Sequence, residues 1–248
     1  MPPGRVTLAV LALVVLSGCR AGVSVEVEAT AGGDGRVRAT VTLDAEAARQ
    51  VPDLAEQLRV DDLEAAGWEI EGPSAAPGGG STVRASKPFA SPAGAARALE
   101  ELGGPSGPFA SLRLRVDRGL WRTTSALAGE VDLTAGLAVF GDETLAERLG
   151  GPTLGLDPAA VERELGRPLA EVVTLEVVAD LPGRLDSNAP GTRAGAAVWP
   201  ATLGSSVAVR ATSEQWNVFS LAMSIVAGVS GLSLVAVLVR RSRRVSWG

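Results

Sequence analysis

Two runs of strict alternation near the start of the chain constrain its folding most tightly. Val23-Ser24-Val25-Glu26-Val27-Glu28 and Arg36-Val37-Arg38-Ala39-Thr40-Val41-Thr42-Leu43 flank Gly32-Gly33-Asp34-Gly35. Successive side chains of a strand point to opposite faces, so each run has one apolar and one polar face, and the glycine-rich break supplies the turn of a β-hairpin. A register centred near residue 32 sets Glu28 opposite Arg36, Glu26 opposite Arg38 and Val27 opposite Val37. The charges then support the pairing and need no ligand to explain them.

The ends of the chain carry a second constraint. Residues 1–19 divide into a short segment with one cation, Arg5, an apolar run from Val6 to Leu16, and Leu16-Ser17-Gly18-Cys19. This is a secretory signal pattern closing on a lipobox: Leu16, Ser17 and Gly18 form the cleavage motif, and Cys19 is the expected site of diacylglycerol attachment and the new N-terminus. Cys19 is the only cysteine, so an exported chain has no disulfide partner for it. At the other end, residues 217–239 hold 23 residues without a charge, enough to cross a hydrocarbon core of about 30 Å as a helix. Trp216 precedes this span and Arg240, Arg241, Arg243 and Arg244 follow it, which sets residues 240–248 as a cytoplasmic tail and residues 20–216 outside. Both signals give one topology: a lipid-anchored, single-pass protein of the cell membrane with its main domain extracytoplasmic. Ser224 and Gly228 form a small-xxx-small pair, too common a spacing to specify an oligomer.

Residues 20–216 hold 18 Lys and Arg against 28 Asp and Glu, a net charge of −10. Such a surface does not seek nucleic acid. The chain contains no histidine and no tyrosine, so Ser-His-Asp, Cys-His and zinc-histidine centres cannot be assembled. Lys87 is the single lysine, and its neighbour Ser86 should point to the opposite strand face, which argues against a Ser-Lys pair. Carboxylates are plentiful, yet most fall on polar strand faces, in first helical turns or in loops. Asp61-Asp62-Glu64 lacks the spaced loop of an EF-hand, and the glycine-rich stretches lack phosphate-loop and dinucleotide patterns. The expectation is a non-catalytic protein with no cofactor and no metal.

Between the ends, the pattern predicts helices over Pro52–Ala66 and Ser91–Leu102, the latter with Pro92 at its first position and Gly103-Gly104 ending it. Strands are expected at Trp68–Ile70, Thr82–Ser86, Leu112–Asp117, Trp121–Leu133, Glu171–Ala179, Arg193–Trp199 and Val207–Thr212. A loop is expected over Pro73–Ser81, and short helices at Glu143–Leu149 and Pro158–Leu165. Strands open and close the domain with helices inserted between hairpins, an α+β fold with a mainly antiparallel sheet, followed by the one C-terminal transmembrane helix.

Ala179-Asp180-Leu181-Pro182-Gly183, Asn188, Val198-Trp199 and Leu203-Gly204, followed by an apolar strand leading to a membrane segment, resemble the LppM-domain lipoproteins of high-GC Gram-positive bacteria. The lipobox, the opening hairpin and Gly67-Trp68 fit the same pattern, so the resemblance covers most of residues 19–244. It implies an exported, lipid-anchored α+β domain associated with envelope lipids or glycolipids, without a cofactor or catalytic centre. With aromatics so few, Trp68, Trp121 and Trp199 are the candidate ligand-binding residues, lining an apolar cleft for an acyl chain or glycolipid. The alternative is ordinary core packing in a scaffold module that meets an envelope protein through its acidic surface.

Overall fold

The computed structural model describes residues 20–50, 60–76, 78–104, 107–136, 162–163, 167–217, 220 and 223. Cys19 and its Leu16-Ser17-Gly18 motif lie outside the described residues, as do Phe140, the helix expected at Glu143–Leu149, almost all of the 217–239 span and the basic tail. Among the described residues, no helix is long and apolar enough to cross a membrane.

The opening hairpin forms as β1 (Ala21–Ala29) and β2 (Gly35–Leu43), with Glu28 opposite Arg36, Glu26 opposite Arg38 and Val27 opposite Val37. Its turn closes on Thr30, whose backbone N–H donates to the Asp34 carbonyl at 2.8 Å and whose hydroxyl donates to the Asp34 carboxylate at 2.6 Å. The Thr30 hydroxyl holds the Asp34 carboxyl below its ordinary pKa. Cross-strand charges partly follow the register: Arg38 pairs with Glu26. Arg36 turns away from Glu28 and reaches Glu69 at 3.4 Å and the Ser86 hydroxyl at 3.1 Å. The reason is the strand on its other side, which offers a second set of partners.

That strand is β4 (Gly80–Phe89), paired with β2 and with β3 (Glu69–Ala76). β3 continues through Pro73, where a loop is expected from composition. It is an edge strand whose register shifts between Glu71 and Ser74, the setting in which a ladder tolerates a missing N–H. On the other side β1 pairs in parallel with β7 (Val173–Asp180), followed by β10 (Ala196–Ala201) and β9 (Gly191–Arg193). The seven-stranded sheet thus runs β3-β4-β2-β1-β7-β10-β9. One apolar row crosses six of its strands, Ile70, Ala85, Ala39, Val25, Val177 and Trp199.

The remaining strands make a second sheet in place of the single one expected. β5 (Arg113–Arg118), β6 (Arg122–Asp132), β11 (Ser206–Trp216) and β8 (Arg184–Ser187) are all antiparallel. Four helices accompany the strands among the described residues: α1 (Ala45–Gln50), α2 (Val60–Ala65), α3 (Pro92–Gly103) and α4 (Leu169–Val172). α3 begins on Ser91, whose hydroxyl accepts from the Gly94 N–H, and stops at Gly104. α1 is capped by Asp44, which accepts from Ala47 at 2.8 Å. One core joins both sheets and α3, with Val27, Val37, Val177 and Trp199 meeting Leu114, Leu127, Val131, Val209, Ala98 and Leu99. This mixed α+β arrangement of mostly antiparallel sheets agrees with the sequence reading.

Gly35 sits where β2 leaves the turn. A Cβ there would lie 2.0 Å from the Glu28 carbonyl oxygen and 2.8 Å from the Phe89 ring, whereas one on Gly191 would meet nothing within 4 Å. Gly35→Ala should therefore cost about 3 kcal/mol of stability, the upper range for overpacking. Gly191→Ala should stay within about 0.5 kcal/mol. Urea denaturation of the two variants checks both figures, and equal midpoints would contradict the close packing at the turn.

Candidate functional site

The three tryptophans singled out from sequence do not come together in one cleft. Trp68 is 3% and Trp199 1% exposed, while Trp121 is 50% exposed. Each buried indole has an internal partner. Trp68 Nε1 donates to Glu101 Oε2 of α3 at 2.8 Å, and the same carboxylate accepts from Lys87 Nζ at 2.6 Å, which also donates to the Ala66 carbonyl at 2.7 Å. The single lysine is thus held in a corner joining β4, α3 and the end of α2, while Ser86 bonds Arg36.

Trp199 Nε1 donates to Asn188 Oδ1 at 2.9 Å. That oxygen also accepts from the Arg210 N–H at 2.9 Å, and Asn188 Nδ2 donates to the Ala208 carbonyl at 2.8 Å. Trp199 belongs to the seven-stranded sheet, Ala208 and Arg210 to the four-stranded one, so a single side-chain amide bonds both. Phe89 and Phe109 are buried as well. The interior aromatics serve the fold.

Two surface depressions remain. One, of about 290 Å³, lies on the polar face of the large sheet and is lined by Glu26, Arg36, Arg38, Thr40, Glu71, Arg84 and Ser86. Its guanidiniums already have carboxylate partners: Arg36 with Glu69, Arg38 with Glu26, and Arg84 with Glu71 at 3.2 Å. Such self-neutralised ladders support a sheet and leave little charge for a ligand.

The other is an open groove of about 490 Å³ between α3 and the edge strand β5. Pro92, Ala93 and Ala96 give it small apolar walls, the buried Leu114 lies at its floor, and Arg97, Arg113, Arg115 and Glu100 stand along it. Arg113 is engaged by Glu100 at 3.6 Å and by the Ala110 carbonyl at 2.7 Å. Arg97 and Arg115 make no ion pair among the described residues. Apolar walls with uncompensated cations suit an amphiphile with an anionic head, and the volume falls within the range of about 300–1,000 Å³ usual for small-molecule sites. Sequence analysis did not find this groove. The sequence offers Arg97 the nearby Glu100 and Glu101 as helical partners, and the structure gives those carboxylates to Arg113 and Lys87 instead, which no local pattern shows.

Among the described residues, no group of three or more carboxylates or thiols could hold a metal ion.

No protein-family model matches the sequence, and no curated protein matches it. Among solved structures, the chain is similar to the NMR structure of the folded domain of LppM from Mycobacterium tuberculosis. The identity is 10%, the match covers 79% of this chain and 91% of that one, and the TM-score is 0.44. LppM is the protein that gives its name to the domain family the sequence motifs resemble.

The Asn188 link generates a direct test. Asn188→Ala leaves the enclosed Trp199 indole N–H without its acceptor, at about 1–3 kcal/mol, while the N–H of the exposed Arg210 can turn to water. The variant should lose about 1–3 kcal/mol in chemical denaturation. A loss below about 0.5 kcal/mol, the level of an ordinary surface change, would show that the link does not hold the sheets.

Proposed function

We propose that the protein is a non-catalytic lipoprotein of the cell envelope, attached through a diacylglyceryl Cys19 and through the 217–239 span, whose extracytoplasmic domain binds an anionic envelope lipid or glycolipid. The observation that carries this reading is the α3/β5 groove. Pro92, Ala93 and Ala96 provide apolar surface for part of an acyl or prenyl chain, and Arg97 and Arg115 stand beside it without carboxylate partners. Each Å² of apolar area removed from water contributes about 25 cal/mol, against which the lost freedom of the ligand is set. Guanidinium groups favour phosphate by forming paired, charge-assisted hydrogen bonds.

The absence of histidine, of tyrosine and of a second cysteine supports binding without chemical change of the ligand. The interior tryptophans play no part in this reading. The groove takes the place of the tryptophan-lined cleft as the lipid site.

Two experiments test the two halves of the proposal. Metabolic labelling with a palmitate analogue should mark the wild-type chain and fail for Cys19→Ala; equal labelling of both removes the lipid anchor. The full chain, extracted from its native membrane, should retain a lipid in native mass spectrometry. Arg97→Ala combined with Arg115→Ala should lower that occupancy by about tenfold, the equivalent of one lost charge-assisted contact of about 1.4 kcal/mol. Unchanged occupancy refutes the groove. A stoichiometric protein partner with no lipid at all favours the scaffold reading.

A further inference from the structure

The exposed large apolar side chains among the described residues are Leu120 at 69%, Trp121 at 50%, Trp216 at 57% and Met223 at 54%. The first three meet at one end of the four-stranded sheet. Trp216, the last residue of β11, is the cross-strand partner of Arg122, and the Asn217 N–H donates to the Trp121 carbonyl at 2.8 Å. Leu120 and Trp121 form the tip of the β5–β6 hairpin, closed by the Gly119 N–H donating to the Arg122 carbonyl at 2.8 Å. Hairpin tips are ordinarily built from Gly, Asn, Asp and Ser, so a Leu-Trp tip needs an apolar or interfacial environment to account for it.

We infer that this end of the ectodomain, Leu120, Trp121 and Trp216, is a docking surface that enters the interface of the lipid bilayer. This rests on the membrane attachment proposed above, and deepens it by naming the residues that touch the leaflet. The argument for a bilayer rather than another occupant is continuity. The patch is joined directly to the uncharged run beginning at Asn217, and an indole at the mouth of such a run partitions to the headgroup level.

The charges beside the patch fit phosphate headgroups despite the acidic domain. Arg122 lies 4.6 Å from the centroid of the Trp216 ring and bonds Glu214 at 3.0 Å, which fixes the ring at the edge of the sheet. Arg118 and Arg184, on the same end, make no ion pair among the described residues. Local cations of this kind attract anionic lipid within a Debye length, where the distant carboxylates of the domain are screened.

The geometry also orients the domain. The start of β1, next to Cys19, is tied to the end of β2, where the Arg20 N–H donates to Asp44 at 2.7 Å. The β1–β2 turn lies at the other end of these strands, about 30 Å away for nine residues at 3.3 Å each. It is this turn that abuts β5: a Cβ on Gly33 would lie 3.5 Å from Val116 and 3.3 Å from the Arg118 guanidinium. Arg20, the first described residue, and the Leu120-Trp121-Trp216 patch are therefore at opposite ends, and a lipid anchor just ahead of Arg20 reaches the same leaflet as the patch only if the strands lie along the membrane. Pro92, at one end of the α3/β5 groove, also abuts this turn, 3.4 Å from the same Cβ position, so the groove adjoins the docking surface.

The test uses the full chain reconstituted in vesicles of phosphatidylcholine and phosphatidylglycerol, with and without lipids brominated near the headgroup end of the acyl chain. Trp121 is exposed, so Trp121→Phe keeps the fold, and subtracting its emission from that of the wild type isolates Trp121. The inference predicts a blue-shifted difference spectrum that loses most of its intensity in brominated vesicles. A difference spectrum at the wavelength of water-exposed indole, undiminished by bromine, overturns it. Quenching of Trp121 together with failed labelling at Cys19 would leave the docking surface standing and remove the lipid anchor, so the two failures are distinguishable.

Discussion

The Asn188 amide is the interaction on which the rest of the structure depends. Two sheets share one core, but their backbone ladders are separate, and apolar contact alone specifies neither angle nor register between them. One oxygen accepting from the indole of Trp199 and from the backbone of Arg210, with the amide nitrogen bonded to Ala208, supplies that specification. Asn188 itself is exposed, but the Trp199 indole it accepts from is enclosed, so this bond is directional and leaving that N–H unpaired is costly. The arrangement also fixes which way β11 runs from Ser206 to Trp216, and hence where the chain leaves the domain.

How much of this was legible in the sequence depends on the range of the interaction. The β1–β2 register was readable because both strands are near neighbours, a glycine-rich turn joins them, and alternation assigns every side chain to a face. α3 was readable from Ser91, Pro92 and the glycines at its end. β8 and β9 were not separately readable, being only four and three residues long with no period to detect. The parallel pairing of β1 with β7 joins residues some 150 positions apart, Ala21 with Val173, and no local pattern encodes it. Asn188 stood out as a motif residue, yet its role needed Trp199 and Arg210 brought together from different sheets. The groove was hidden for a similar reason: Arg97 and Arg115 acquire a shared surface only when α3 packs on β5. α1 did leave a signal, Asp44 followed by an alanine-rich segment, which the pattern reading passed over.

The tryptophans divide by environment. Trp68 and Trp199 are enclosed, with their N–H groups satisfied by Glu101 and Asn188, and act on the fold. Trp121 and Trp216 stand at one end, beside cations and next to the uncharged run that follows. An aromatic residue enriched for its amphipathic ring can fill either role, and composition alone does not separate them. With Arg20 at one extremity and the Trp121–Trp216 end at the other, the domain is an elongated two-sheet body, which under the proposed attachment lies along the membrane. Its α3/β5 groove adjoins the end that carries Leu120, Trp121 and Trp216. Rigidity matters here, because a groove and a docking surface keep a fixed relation only if the sheets do not slide.

Native-state hydrogen exchange of the full chain tests that rigidity most directly. If the two sheets form one cooperative body, the Trp199 indole N–H and the Arg210 amide should exchange with the same opening free energy as core amides of Val27 and Val177, which open only on global unfolding. The Trp216 indole, outside the core, should exchange far faster. If Trp199 and Arg210 instead exchange well ahead of Val27 and Val177, the sheets part without unfolding and the account of a single latched body is wrong.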